Sequence, residues 1–104
     1  MIKCTVVNKR KCEFDVYIGR GSKWGNRFEI GLDGDRDEVC NKYIAYIWGS
    51  GSHLLQCLPE LFGKKLGCYC KPLRCHGDYL AQLANELQEF GYITSPRGKK
   101  FKLL

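Results

Sequence analysis

Apolar positions along this chain change their period several times, and each change marks an element. Ile2 to Asn8 and Phe14 to Gly19 are β-rich runs separated by the basic turn Lys9-Arg10-Lys11, and both predict strands. From Arg20 to Asp37 the periodicity lapses. Gly19, Gly21, Gly25, Gly31 and Gly34 punctuate a long polar loop anchored by Trp24 and Phe28. Helical spacing returns near Asp35, with Asp37 and Glu38 suited to the positive end of a helix dipole and Val39, Tyr43, Ile44 and Ile47 forming a buried stripe. Gly49-Ser50-Gly51-Ser52 ends that helix, and Ser52 is placed to cap a second one with the apolar face Leu54, Leu55, Leu58, Leu61 and Phe62. Gly63 stops it, and Lys65 to Cys70 predicts a strand. The clearest helix runs from His76 to Phe90, with Leu80, Leu83, Ala84 and Leu87 on one face and Gly91 as C-cap. Tyr92 to Leu104 fits a final strand or an arm equally well.

The order strand, strand, long loop, two helices, strand, helix predicts an α/β fold: a small Rossmann-like sheet of three to four strands flanked by about three helices, in two or three layers. If the strands run parallel, the long loop and the cysteine loop after Cys70 leave the same sheet edge and surround one pocket.

At 104 residues and 44% hydrophobic content, one α/β domain spans residues 1–104, with a basic tail over about 95–104. No apolar stretch approaches the roughly 20 residues that span a bilayer, so no membrane association is expected. The apolar part of Met1 to Val7 is too short for a signal peptide and reads as a first strand. The seven cysteines are odd in number, and Cys40 and Cys57 fall within helical patterns. That favours reduced thiols in a cytoplasmic protein over a disulfide framework. Cys4, Cys40 and Cys57 read as small core hydrophobes. The net charge of +6 attracts phosphorylated small molecules or nucleic acid. Much of it, however, sits in the Lys9-Arg10-Lys11 turn and in Arg97, Lys99, Lys100 and Lys102, where charge usually serves solubility. Oligomerisation is open.

Two loops carry the chemistry. In the first, Gly19 and Gly21 let backbone approach an anion, Arg20 offers a bidentate phosphate clamp, Trp24 a stacking surface and Asn26 an amide for a ribose or base edge, with Ser22, Lys23 and Gly25 between them. Arg36, beyond the loop, joins this ligand set. A plain structural loop is the competing reading, since Gly25-Asn26 is a common turn pair and Trp24 can plug the core.

The second loop, Cys68-Tyr69-Cys70-Lys71-Pro72-Leu73-Arg74-Cys75-His76-Gly77-Asp78, supports three readings. Zinc is possible through Cys68, Cys70, Cys75 and His76, although the usual finger and ribbon spacings are absent and no cofactor is otherwise implied. A nucleotide-processing enzyme would use Cys75 as nucleophile with His76 and Asp78, because a helix N-terminus with Arg74 and Lys71 nearby should lower the thiol pKa. Binding without turnover would hold a phosphate or sugar through the helix start at Gly77, through His76 and through Arg20 of the first loop, with Cys70 and Cys75 packing the pocket wall and Asp78 capping the helix or accepting a ribose hydroxyl.

The segments Tyr17-Ile18-Gly19-Arg20-x-Ser22-x-Trp24-Gly25-Asn26-x-Phe28, Gly34-Asp35-Arg36-x-Glu38-Val39 and Cys68-x-Cys70-x-Pro72-x-x-Cys75-His76-Gly77-Asp78 together resemble an uncharacterised family of small phage and bacterial proteins, a domain of unknown function. The resemblance covers about residues 16 to 85. Members usually carry proline after the loop asparagine, and this chain has Arg27 there, which either loosens the turn or adds a cation to the pocket. The strand–loop–Cys-His–helix unit is also similar to a second uncharacterised family of small α/β proteins. The first resemblance implies a phage or bacterial protein of the host-cell cytoplasm and supplies no activity. With the residues, it leads to the expectation of a domain that binds a nucleotide-like or ADP-ribose-like phosphorylated molecule, and that thereby sequesters a host signalling nucleotide. The nucleotide-processing enzyme and the zinc- or nucleic-acid-binding module are the alternatives.

Overall fold

The computed structural model describes residues 1–103. The elements are β1 (Thr5–Asn8), β2 (Val16–Tyr17), α1 (Arg36–Ile47), a 3-10 helix (Ser52–Leu61), β3 (Lys65–Cys68), α2 (His76–Phe90), β4 (Tyr92–Thr94) and β5 (Lys100–Lys102). The described residues thus form a small mixed α/β structure with three helices and two small sheets. No helix among the described residues is long and apolar enough to cross a membrane.

The main sheet has the order β1-β3-β2, with both outer strands parallel to β3. All three strands are shorter than the apolar runs that predict them, because β3 pairs with each neighbour over only four or two residues. The connection from β1 to β2 must cross β3, and a glycine makes room for it. A Cβ on Gly67 would stand 2.6 Å from Cγ of Phe14, so Phe14 lies over the middle of β3. Leu66 and Cys68 point to the opposite face by strand alternation, and both are buried there.

Helix α2 packs on that second face, against β1 and β3, while α1 and the 3-10 helix pack against α2. Its first turn comes close: a Cβ on Gly77 would meet Cδ1 of Ile18 at 2.4 Å and Cγ1 of Val6 at 3.2 Å. The core joins Ile18, Tyr43, Ile47, Leu58, Leu66, Leu80 and Leu83, all fully buried.

Helix α1 begins as its acids predict, with Asp35 accepting from the Glu38 amide and Glu38 accepting from the Asp35 amide, a reciprocal cap. Cys40 rather than Ile44 completes its buried stripe. The second predicted helix is a 3-10 helix, and Ser52 does not cap it. Leu55, Leu58 and Leu61 recur every third residue, the repeat that a three-residue turn aligns on one side. Beyond the Gly91 cap, the segment open between strand and arm is a hairpin: β4 pairs antiparallel with β5, and Phe101 packs on Trp48 with ring centroids 5.6 Å apart. Leu104, the end of the expected basic tail, lies outside the described residues.

Candidate functional site

The parallel strands β2 and β3 both end at one cavity of about 500 Å3. From the first loop come Gly19, Arg20, Asn26, Phe28, Glu29 and Ile30, and from the cysteine loop Tyr69, Cys70, Arg74, Cys75 and His76. The strand ends add Tyr17 and Cys68, and α1 contributes Arg36, Val39 and Cys40. The two loops therefore converge, as a crevice at the carboxyl edge of a parallel sheet requires.

What holds the loops together is His76. Its ring is buried, its Nε2 lies 2.8 Å from the Ile18 carbonyl, and it meets Tyr43 edge-on at 4.7 Å between centroids. Because the partner is a carbonyl, Nε2 carries the proton and donates. Tyr43 in turn donates its hydroxyl to the Trp24 carbonyl at 2.8 Å. Two side chains from two helices thus fasten the first loop by its backbone. Burial lowers the His76 pKa, opposed by its bonding to backbone carbonyls.

Several residues of the predicted ligand set sit elsewhere. Trp24 is 2% exposed and fills the core, so its indole is not a stacking surface for a ligand. Gly25 packs against the Gly19 carbonyl, the Ser22 hydroxyl donates to that same carbonyl, and Lys23 pairs with Glu60 at 2.8 Å. Gly25 and Ser22 shape the loop from within, and Lys23 ties it to the 3-10 helix. Arg27 lies over the Tyr46 ring, away from the cavity lining.

The helix start is also occupied by its own chain. The Cys75 thiol accepts from the Gly77 amide at 3.3 Å, and Asp78 accepts from the Cys75 amide at 3.1 Å while pairing with Lys71. Gly77 and Asp78 are therefore absent from the cavity wall. The expected drop in the Cys75 pKa is reversed: burial pushes the thiol up, and Cys68, with Sγ atoms 3.5 Å apart, adds to the rise. A neutral, capping thiol is a poor nucleophile. The imidazole that would activate it is committed to Ile18. Among the described residues no group of three or more His, Cys, Asp or Glu is arranged to hold a metal ion. Alkylation is expected to follow this burial. Iodoacetamide at about pH 8 should label exposed Cys12 in the native protein and spare Cys68 and Cys75, as read by peptide mass spectrometry. Labelling of Cys75 as fast as Cys12 would show that its thiol is reactive after all.

The cations around the cavity differ in how they are engaged. Arg20 pairs with Glu29 at 2.6 Å, and Arg74 pairs with Asp37 at 3.0 Å and bonds Asn41 at 2.9 Å. Arg36 is half-buried and donates to the Arg74 carbonyl at 3.1 Å, yet it has no carboxylate partner among the described residues. Sequence reasoning missed Tyr17, Tyr69 and Cys40 as lining. Tyr17 ends a strand and Tyr69 follows one, a position that could have flagged both; Cys40 reads as core from its helical spacing.

A family model described as Domain of unknown function (DUF4326) matches residues 3–86. The chain belongs to this family. Two proteins similar to this chain have viral sources. An uncharacterised 12.4 kDa protein of the nrdA-td intergenic region of Enterobacteria phage T4 is 44% identical over 88 residues, covering 81% of this chain and 80% of the relative. An uncharacterised protein of Acanthamoeba polyphaga mimivirus is 37% identical over 98 residues, covering 77% of this chain and 74% of its own. No solved structure matches.

Proposed function

We propose that the cavity binds a nucleotide-like or ADP-ribose-like phosphorylated molecule without turning it over. The observation that carries this reading is Arg36, a half-buried arginine without a carboxylate partner among the described residues, in the wall of a cavity otherwise lined mainly by aromatic, aliphatic and thiol groups. Burying a cation is costly unless an anion joins it, and a phosphate is the anion that a guanidinium fork fits best. Tyr17, Phe28, Ile30 and Val39 supply apolar surface for a base or sugar, and Arg20 and Arg74 can turn toward a polyanion by exchanging exposed ion pairs worth little in water. The parallel strands with a cavity at their carboxyl ends support a reduced Rossmann-like description of the sheet.

A small domain with viral relatives and a buried, neutral Cys75 would act by sequestration, holding a signalling nucleotide of the host out of circulation in the host cytoplasm. Thermal unfolding with a panel of mononucleotides, dinucleotides and ADP-ribose tests this. Saturation with a true ligand, at about a hundred times its Kd, should stabilise the protein by roughly 2.7 kcal/mol and raise Tm by several degrees. Arg36→Gln should weaken that ligand about tenfold or more, the value of one charge-assisted bond. No shift with any phosphorylated compound would sink the reading.

A further inference from the structure

On the sheet face opposite α2, the crossing segment lays Phe14 over β3. Phe14 and Tyr69 remain 37% and 50% exposed. Tyr17 and Tyr69 meet edge-on with centroids 6.5 Å apart, and the Lys9 ammonium stands 4.6 Å from the Tyr17 ring, 4.8 Å from Tyr69 and 5.8 Å from Phe14. Arg10 lies over Tyr69 at 5.0 Å. The basic turn that reads as a solvated tip in the sequence is thus folded back onto an aromatic surface. It is also well fixed. Asn8 accepts from the Arg10 amide through its side chain and from the Lys11 and Cys12 amides through its carbonyl, and its own amide donates to the Lys71 carbonyl in the cysteine loop.

Two features give this face a direction. Tyr17 and Tyr69 belong both to it and to the wall of the arginine-bearing cavity. At the other end, Arg10, Lys11, Cys12, Glu13 and Phe14 line a second, shallow depression in which two cations outnumber one carboxylate. Lys9, Arg10 and Lys11 make no ion pair among the described residues. Partly exposed rings, overlaid by cations that make no ion pair among the described residues, run from one depression to the other and match a polyanion whose phosphates draw the cations while its flat bases meet the rings. A groove that tracks charge while aromatic side chains stack bases is the general solution for single strands.

We infer that the aromatic–lysine face from Tyr17 and Tyr69 to Arg10 and Phe14 binds a single-stranded nucleic acid, whose end nucleotide enters the cavity. This rests on the proposed nucleotide reading of the cavity and extends it: the ligand there is the terminus of a strand.

The test is fluorescence anisotropy with labelled DNA and RNA single strands of roughly ten nucleotides, the same sequence as duplex, and free mononucleotides followed by thermal shift. Single strands should bind at least tenfold more tightly than the duplex or any mononucleotide, with DNA and RNA arms showing which sugar is preferred. Lys9→Gln with Arg10→Gln, both outside the cavity wall, should weaken the strand about tenfold and lower its salt slope by about two phosphate contacts. The mononucleotide response should be unchanged. Tyr69→Ala should cost the strand about tenfold as well, the usual effect of losing one stacked base. If mononucleotides bind and strands bind no better, this inference is overturned while the cavity reading stands; if no nucleotide binds in any form, both fall. Equal affinity for duplex, or indifference to the Lys9 and Arg10 changes, also overturns it.

Discussion

His76→Ala is expected to destabilise the protein by about 3–5 kcal/mol, read as a lowered urea midpoint with little change in slope. Two losses add. The Ile18 carbonyl is left without its donor in a buried setting, which costs about 1–3 kcal/mol. Removal of the ring also opens a void beside Tyr43, whose hydroxyl holds the Trp24 carbonyl. His76→Gln keeps a donor and should lose only roughly 1–2 kcal/mol. The pH dependence has a definite sign. Burial depresses the folded pKa below the unfolded value of about 6.5, so between those two values the unfolded chain binds the extra proton. The contribution is complete above about pH 6.5 and declines as pH falls toward the folded pKa. The difference in stability between the native protein and His76→Gln should therefore shrink on acidification from pH 7. A difference independent of pH over that range would mean that the ring does not titrate with folding. His76→Ala at full stability would refute its role as a fastener and return it to the list of candidate catalytic groups.

Gly25→Ala should cost about 3 kcal/mol, the upper end of the usual overpacking penalty. Its Cβ would stand 2.8 Å from the Gly19 carbonyl oxygen and 3.3 Å from that of Ser22. Both are backbone atoms held in successive turns, with Ser22 N bonded to Gly19 O and Gly25 N to Ser22 O, each at 3.1 Å. No rotamer change relieves such a contact. Gly21 makes the useful control. Its φ of +91° disfavours alanine, but a Cβ there meets nothing within 4 Å, so Gly21→Ala should cost about 1 kcal/mol. Guanidinium titrations of the two variants decide the matter: equal, small losses would show that the loop is not closed tightly at Gly25. Because Gly19 lines the cavity, the Gly25 change should also weaken any phosphorylated ligand, whereas the Gly21 change should not.

Much of this was visible in the chain itself. The residues His76 to Phe90 form α2 over the span that the leucine spacing predicts, with Gly91 left-handed at φ +78° as its cap. Asp35 and Glu38 open α1 through a local reciprocal bond that involves only a four-residue stretch. The convergence of the two loops follows from parallel strands, which a strand–helix–strand order favours. Assignments made from residue type alone fared less well. Trp24, a ligand platform by chemistry, is core because Tyr43 and His76 draw the loop inward. Cys75, an activated thiol by its neighbours in sequence, is neutral because its actual neighbours are Cys68 and the interior.

The amino-acid order alone settled the local matters: where helices start and stop, which faces are apolar, and which two loops carry unusual chemistry. Those depend on interactions within a few residues, so they are written in spacing and composition. Tertiary structure decided the rest. It set which face of a loop residue meets solvent, whether a thiol sees water or another thiol, and which of the arginines Arg20, Arg36 and Arg74 is left without a carboxylate among the described residues. Each of those depends on groups brought close from distant parts of the chain, because desolvation and pairing act through space and fall off within a few ångströms.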